Sequence, residues 1–171
     1  TGPGADMNEL KDFLLSRMMY DPSLNDREVI ADFVLDYYGG AAPFVQNYLD
    51  IMHGSVLDTG YVLTQEFAID APFLTPIALL TSAAAFAQGR AAVRGTVYEE
   101  RLAASSMAVY NVVLQRWAEL RAFADESADA DCELDAGGSR RHEAGDGIGL
   151  KRAAAGSGFD TILMAQHAVA T

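Results

Sequence analysis

Any metal, nucleophilic or acid–base chemistry in this chain would have to start from a short list of side chains. It holds three histidines (His53, His142 and His167), one cysteine (Cys132) and an adjacent carboxylate pair, Glu99 and Glu100. A zinc site needs His or Cys pairs two to four residues apart, and none of the histidines has such a neighbour. Cys132 sits among acidic residues, which hold a thiol protonated rather than activate it, and a lone cysteine excludes an intrachain disulfide. Glu99 and Glu100, being consecutive, point to different sides of a helix and read as capping and solvation. Ser105 and Ser106 fall in mid-helix with no base nearby, unlike a nucleophile raised on a strained turn. The glycine-rich stretches at 146–149 and 156–158 neither follow a strand nor open a helix, so they are not phosphate cradles. The expectation is no catalytic residue, no metal and no cofactor.

Aromatic side chains are the remaining candidates for recognition. Tyr37, Tyr38, Tyr48 and Trp117 would stack on sugar rings if exposed, but their helical spacing favours the core. Tyr38 stands apart because it ends a helix beside two glycines, Gly39 and Gly40.

The elements that must position these residues read as helices. Asp6 with Glu9 three residues on has the form of a capping box, and Leu10, Phe13, Leu14 and Met18 predict a helix over 7–19. Tyr20-Asp21-Pro22 stops it, since a residue before proline is driven out of the α region. Asn25 and Glu28 cap a second helix whose inward stripe is Val29, Ile30, Phe33, Val34 and Tyr37. Gly39-Gly40 ends that helix and Ala41-Ala42-Pro43 starts a third, with Phe44, Val45, Tyr48, Leu49, Met52 and Val56 inward. The pattern loosens from Leu57 to Phe73, where residues 61–63 have the alternation of a short extended piece. Thr75-Pro76 opens an alanine-rich helix over 77–93, too often interrupted by polar residues to be a membrane span. After Gly95, Thr96 and Glu99 read as a further capping box for one long helix to about Ala124. Its face includes Leu102, Val109, Val113, Trp117 and Leu120, widened by Met107, Tyr110 and Leu114.

From Asp125 onwards the apolar periodicity is lost and glycine is frequent, so a loose tail is expected, with a closing apolar patch at Ile162–Met164 that docks weakly. The fold class read from the sequence is all-α: about five helices in an irregular antiparallel bundle over residues 1–124, and a low-order Gly/Ala/acidic tail over 125–171. The formal net charge of −12 argues against nucleic acid and against an anionic membrane surface as partners. The opening residues are polar and lack the basic start of a signal peptide, and they lack an initiating Met, so an upstream part is expected to be missing. Localisation is not legible.

The segment from Glu9 to His53 resembles the domain of unknown function 4838 family. The features that carry the resemblance are Tyr20-Asp21-Pro22 after a helix, Phe33, Tyr37-Tyr38-Gly39, and Ala41-Ala42-Pro43 leading into Tyr48-Leu49. The run from Phe73 to Ala122, with Glu100-Arg101 and Tyr110, is similar to that family's following helices, so the likeness spans roughly residues 7 to 124. In that family the helical region follows a glycoside-hydrolase-like (β/α)8 barrel. A similar pattern follows the barrel in family 67 α-glucuronidases, whose helices form a C-terminal domain with dimer contacts.

The resemblance implies a C-terminal helical accessory region of a carbohydrate-active protein. Its partners would be the N-terminal barrel domain of the parent and a second copy in a homodimer. Catalytic carboxylates in such enzymes sit on barrel strands, so no catalytic residue is carried across. Tyr20, Asp21, Pro22, Tyr37, Tyr38 and Trp117 are the candidate interface residues. The rival readings are a freestanding helical protein-interaction module and a small hydrolase built on Tyr38 and a nearby carboxylate.

Overall fold

The computed structural model describes the backbone of residues 6–62 and 68–136, with side chains of the last helix described as far as residue 127. The regular elements among the described residues are all helical: α1 (Asn8–Tyr20), α2 (Asp26–Tyr38), a 3₁₀ turn (Gly39–Ala41), α3 (Ala42–Thr59), α4 (Pro76–Ala92), α5 (Val97–Gln115) and α6 (Trp117–Ala136). The all-α class follows directly. The tail expected from residue 137 onwards, including the patch at 162–164, the glycine-rich stretches, His142 and His167, lies outside the described residues.

Local signals set most helix ends. Asn25 accepts the backbone N–H of Arg27 at 3.1 Å, and its amide donates to Glu28. Thr75 accepts the N–H of Ala78, with Pro76 in the first turn of α4. Gly60 closes α3 in the left-handed region, φ 61°. Two other expected caps differ. Glu99 does not close a box on Thr96; it accepts the N–H of Gly95 at 2.7 Å and pairs with Arg90, while the Thr96 hydroxyl bonds the Val93 carbonyl. Asp6 does not cap α1 either. The residue at that position is Met7, held at φ 49°, and Asp6 is drawn into the protein.

The single long helix expected over 96–124 is two helices. Arg116 breaks it with φ −103° and ψ 19°, and helical backbone then continues past Asp125 to Ala136. Neither glycine nor proline marks the break. Instead the Arg116 guanidinium donates to the carbonyls of Leu74 and Ile69 and forks onto Glu119, tying the loop before α4 to the α5–α6 junction.

Three consecutive helix pairs run antiparallel, as the pairing of distant residues shows. Met7 and Phe13 meet Tyr38 and Phe33 across α1 and α2. Tyr48 stacks on Phe86, and Phe44 lies against Gly89, across α3 and α4. Gly89 and Ala83 meet Leu102 and Tyr110 across α4 and α5. At the centre is α4, buried on most of its circumference: Leu79, Leu80, Ala83 and Phe86 are at most 1% exposed. Its alanines and Gly89 bring neighbours close, since a Cβ at Gly89 would meet Leu102 and Phe44 at 3.1 and 3.2 Å. On α5 the inward stripe is Leu102, Val109 and Val113; Met107 and Leu114, expected to widen it, face outwards at 64% and 55% exposed. A heptad apart, they share the side of the helix opposite the core.

Candidate functional site

Asp6, Met7, Tyr38, Tyr48 and Ser105 form a hydrogen-bonded cluster around two buried tyrosines. It is built by α2 and α3, which deliver two tyrosines, by α5, which delivers a serine, and by the chain entering α1. Tyr38 is the last residue of α2 and completely buried. Its ring stands edge-on to Tyr37 and Phe33, and its hydroxyl lies 2.7 Å from Ser105 Oγ and 3.5 Å from Met7 Sδ. Ser105 Oγ donates in turn to the Arg101 carbonyl. Tyr48, also buried, bonds the Asp6 carboxyl through its hydroxyl.

Burial controls the protonation of this knot. It pushes the Tyr38 phenol up to about 12, against the lowering effect of its bond to Ser105. Tyr48 is raised further, first by burial and then by the Asp6 charge. Asp6 itself is held above the ordinary carboxylate range by burial, which outweighs the Tyr48 hydrogen bond and the charge of Lys11. Its Oδ1 is buried without a hydrogen-bond partner among the described residues. A protonated phenol, a protonation-prone acid and a serine therefore do converge, yet Tyr38 and Tyr48 show 0% and 1% of their surface. Such side chains offer nothing for a substrate to touch. The knot fastens the entry of α1 to three helices.

The six candidate interface residues separate into three places. Tyr20, Asp21 and Pro22 form a corner at the far end of α1, with Tyr20 93% exposed. Asp21 holds that corner in shape by accepting the N–H and hydroxyl of Ser23, and the same bonds keep its carboxyl below the usual range. Tyr37 is half-buried in a pile: Phe33 stacks on one side at 5.0 Å and the Arg101 guanidinium sits 4.7 Å from its ring centre. Tyr38, expected to be worth watching as an exposed ring, lies in the core because the last turn of α2 directs it between α1 and α5. Trp117 opens α6, half-buried against the core. Beyond that corner only Tyr37 and Tyr38 are brought together, their rings 5.0 Å apart; Tyr38 sits at the Met7 end of α1 and Tyr20 at the other, about 20 Å along its thirteen residues.

Three structural features lie outside the candidate set. The first is the apolar edge of α1, where Leu15 and Met19 are 59% and 83% exposed beside Tyr20 while Leu10 is the helix's one fully buried residue. A stripe that leaves half of its apolar residues outside was visible in the spacing of Leu14, Leu15, Met18 and Met19. The second is Arg116, which no motif marks. The third is an open groove of about 780 Å³ between α3 and α4. It runs past Asn47, Asp50, Gly54 and Asp58 on one wall and Thr81, Ala85 and Gln88 on the other.

Among the described residues no group of three or more His, Cys, Asp or Glu side chains is placed to hold a metal ion. None of the described helices is long and apolar enough to cross a membrane.

Comparison with protein families finds one match, to a family described as Domain of unknown function (DUF4838), over residues 1–50. The matched stretch covers α1, α2, the 3₁₀ turn and the first half of α3. The likeness read from the sequence over residues 51–124 lies outside it. No curated protein and no solved structure matches the chain.

Proposed function

We propose that this chain is the helical accessory region of a glycoside-hydrolase-like, carbohydrate-active protein, a region that supports a barrel domain and is not catalytic by itself. The observation that carries the proposal is the uncovered edge of α1. A helix that buries Leu10 alone while exposing Leu15, Met19 and Tyr20 is shaped to lie against another body. That edge falls inside the stretch that matches the family model, which is what links it to the family's expected architecture. The Tyr20-Asp21-Pro22 corner would continue the same contact, and a second copy of the chain could share it.

Two measurements test this. The coding region upstream of Thr1 should read as an alternating strand–helix series, and its separately produced product should bind this chain in titration calorimetry. The triple substitution Leu15→Ser, Met19→Ser, Tyr20→Ser should remove that binding while leaving the helical circular-dichroism signal intact. An upstream region with no barrel series, or binding that survives the triple substitution, rejects the proposal.

The alternative is a freestanding helical interaction module, and one observation favours it: the bundle closes over a continuous core with Tyr38, Tyr48, Leu80 and Val113 fully covered. Solution behaviour separates the two. A module unfolds cooperatively as a monodisperse species, whereas a region built to lean on a barrel binds hydrophobic dye and self-associates through α1.

A further inference from the structure

The outward face of α5 is not composed like a face meant for water. Val97, Glu100, Ala104, Met107, Asn111 and Leu114 follow one another at alternating steps of three and four residues, and all six are exposed. That spacing sets them in one line along the helix, on the side away from Leu102, Val109 and Val113. The solvent face of a helix in a globular bundle is ordinarily charged. Here four of the six side chains are apolar, and Glu100 carries the single charge on the line.

The line is also complementary to itself when reversed. About a two-fold axis level with the Ser105–Ser106 peptide bond, Val97 falls opposite Leu114, Glu100 opposite Asn111 and Ala104 opposite Met107, each pair occurring twice. Apolar meets apolar, the small Ala104 leaves room for the long Met107, and the one carboxylate meets the one amide. That amide is set for the task. The Asn111 oxygen accepts the Gln115 side chain at 3.1 Å, which leaves its NH₂ group to donate to a carboxylate. Glu99 is engaged by Arg90 and the Gly95 N–H, whereas Glu100 makes no hydrogen bond or ion pair among the described residues. Laid parallel, the same two faces would set the two Glu100 carboxylates against one another, like charge on like.

We propose that α5 is the contact surface for a second copy of this chain, the two helices lying antiparallel with the Asn111 amide of each donating to the Glu100 carboxylate of the other. The inference does not rest on the accessory-region reading, whose contacts are on α1. A contact confined to one helix per copy, about 26 Å long between Val97 and Leu114, lies at the small end of specific interfaces. A dissociation constant between about 10 µM and 1 mM is therefore expected.

Sedimentation equilibrium tests this in the full chain carrying Leu15→Ser, Met19→Ser and Tyr20→Ser, so that association through α1 does not intrude. Physiological salt screens the repulsion between two acidic copies. A monomer–dimer equilibrium is expected. Asn111→Glu sets carboxylate against carboxylate twice and should weaken the dimer about tenfold or more. Adding Glu100→Lys to the same chain should restore most of the affinity. The two positions lie about 16 Å apart along one helix, so that recovery comes from the opposite copy alone. Both are exposed, and the helical circular-dichroism signal should not change. A chain that stays monomeric, a dimer indifferent to Asn111→Glu, or a double variant that associates no more tightly than Asn111→Glu alone overturns the proposal.

Discussion

The hydroxyl of Tyr38 lies 2.7 Å from that of Ser105, a residue 67 positions further along the chain. Ser105 donates its hydroxyl to the Arg101 carbonyl, and the Arg101 guanidinium donates to the carbonyl of Tyr37 at 3.1 Å. The result is a closed circuit of hydrogen bonds clasping α2 to α5. It forms in the core, where an unmet polar atom is more costly than a made bond is favourable.

The clasp should therefore behave as a coupled unit. Tyr38→Phe strands the Ser105 lone pairs and Ser105→Ala strands the phenol; each is expected to destabilise by about 1 to 2 kcal/mol. The double substitution removes both partners, so it should cost about 1 kcal/mol less than the sum of the singles. Urea unfolding of the four chains measures this, and strict additivity would mean that the two hydroxyls do not communicate.

Asp6 sets a pH dependence of definite sign. Burial raises its folded-state pKa above the ordinary aspartate value of 3.8, so the folded chain holds the proton more tightly than the unfolded one. Its contribution is full below 3.8, fades as pH rises through the folded pKa, and is gone above it. Asp21, Glu99 and Glu119, whose carboxyls are held low by hydrogen bonds, act in the opposite direction. The comparison that isolates Asp6 is thus with Asp6→Asn, which keeps an acceptor for Tyr48 without a charge. The stability of the variant relative to the parent chain should increase between about pH 4 and pH 7. A difference that stays flat across that range would place the Asp6 carboxyl in water.

Two neighbouring glycines should respond oppositely to alanine. Gly39 has φ +54°, and a Cβ on it would come within 2.6 to 2.8 Å of the Tyr98 ring. Gly39→Ala should cost about 2 kcal/mol or more, from the left-handed backbone and the displaced ring together. Gly40 lacks the positive φ, and its Cβ would make an ordinary 3.5 Å contact with Val93. Gly40→Ala should stay within about 0.5 kcal/mol of the parent. Thermal melts of the pair decide whether the turn after α2 is shaped by Gly39 alone.

Arg116 should be more valuable than its place at the end of α5 implies. Its guanidinium serves two carbonyls of the loop before α4 and forks onto Glu119, with the side chain only 10% exposed. Arg116→Ala removes charge-assisted bonds to backbone acceptors and is expected to cost about 2 kcal/mol. Arg116→Lys should recover only part of that, because an ammonium cannot reproduce the fork. Hydrogen exchange should locate the loosening at residues 68–75; exchange unchanged there would show that the loop holds itself.

The sequence by itself determined where helices begin and end wherever a neighbour within four residues makes the decision. Asn25 and Thr75 do so by capping nearby backbone, and the stripes of α2 and α3 follow from a 3.6-residue period. The tertiary structure decided everything that depends on a distant partner. Asp6 reads as a cap, but Tyr48 lies 42 positions away and draws it inside. Tyr38 reads as a helix-end ring open to solvent, and only the approach of α5 supplies the serine that its hydroxyl needs. Arg116 reads as one more helical arginine until the carbonyls of Ile69 and Leu74 arrive to divide the helix. A local pattern records which face of a helix is apolar; it carries no record of which polar atom, tens of residues off, will stand opposite a given side chain.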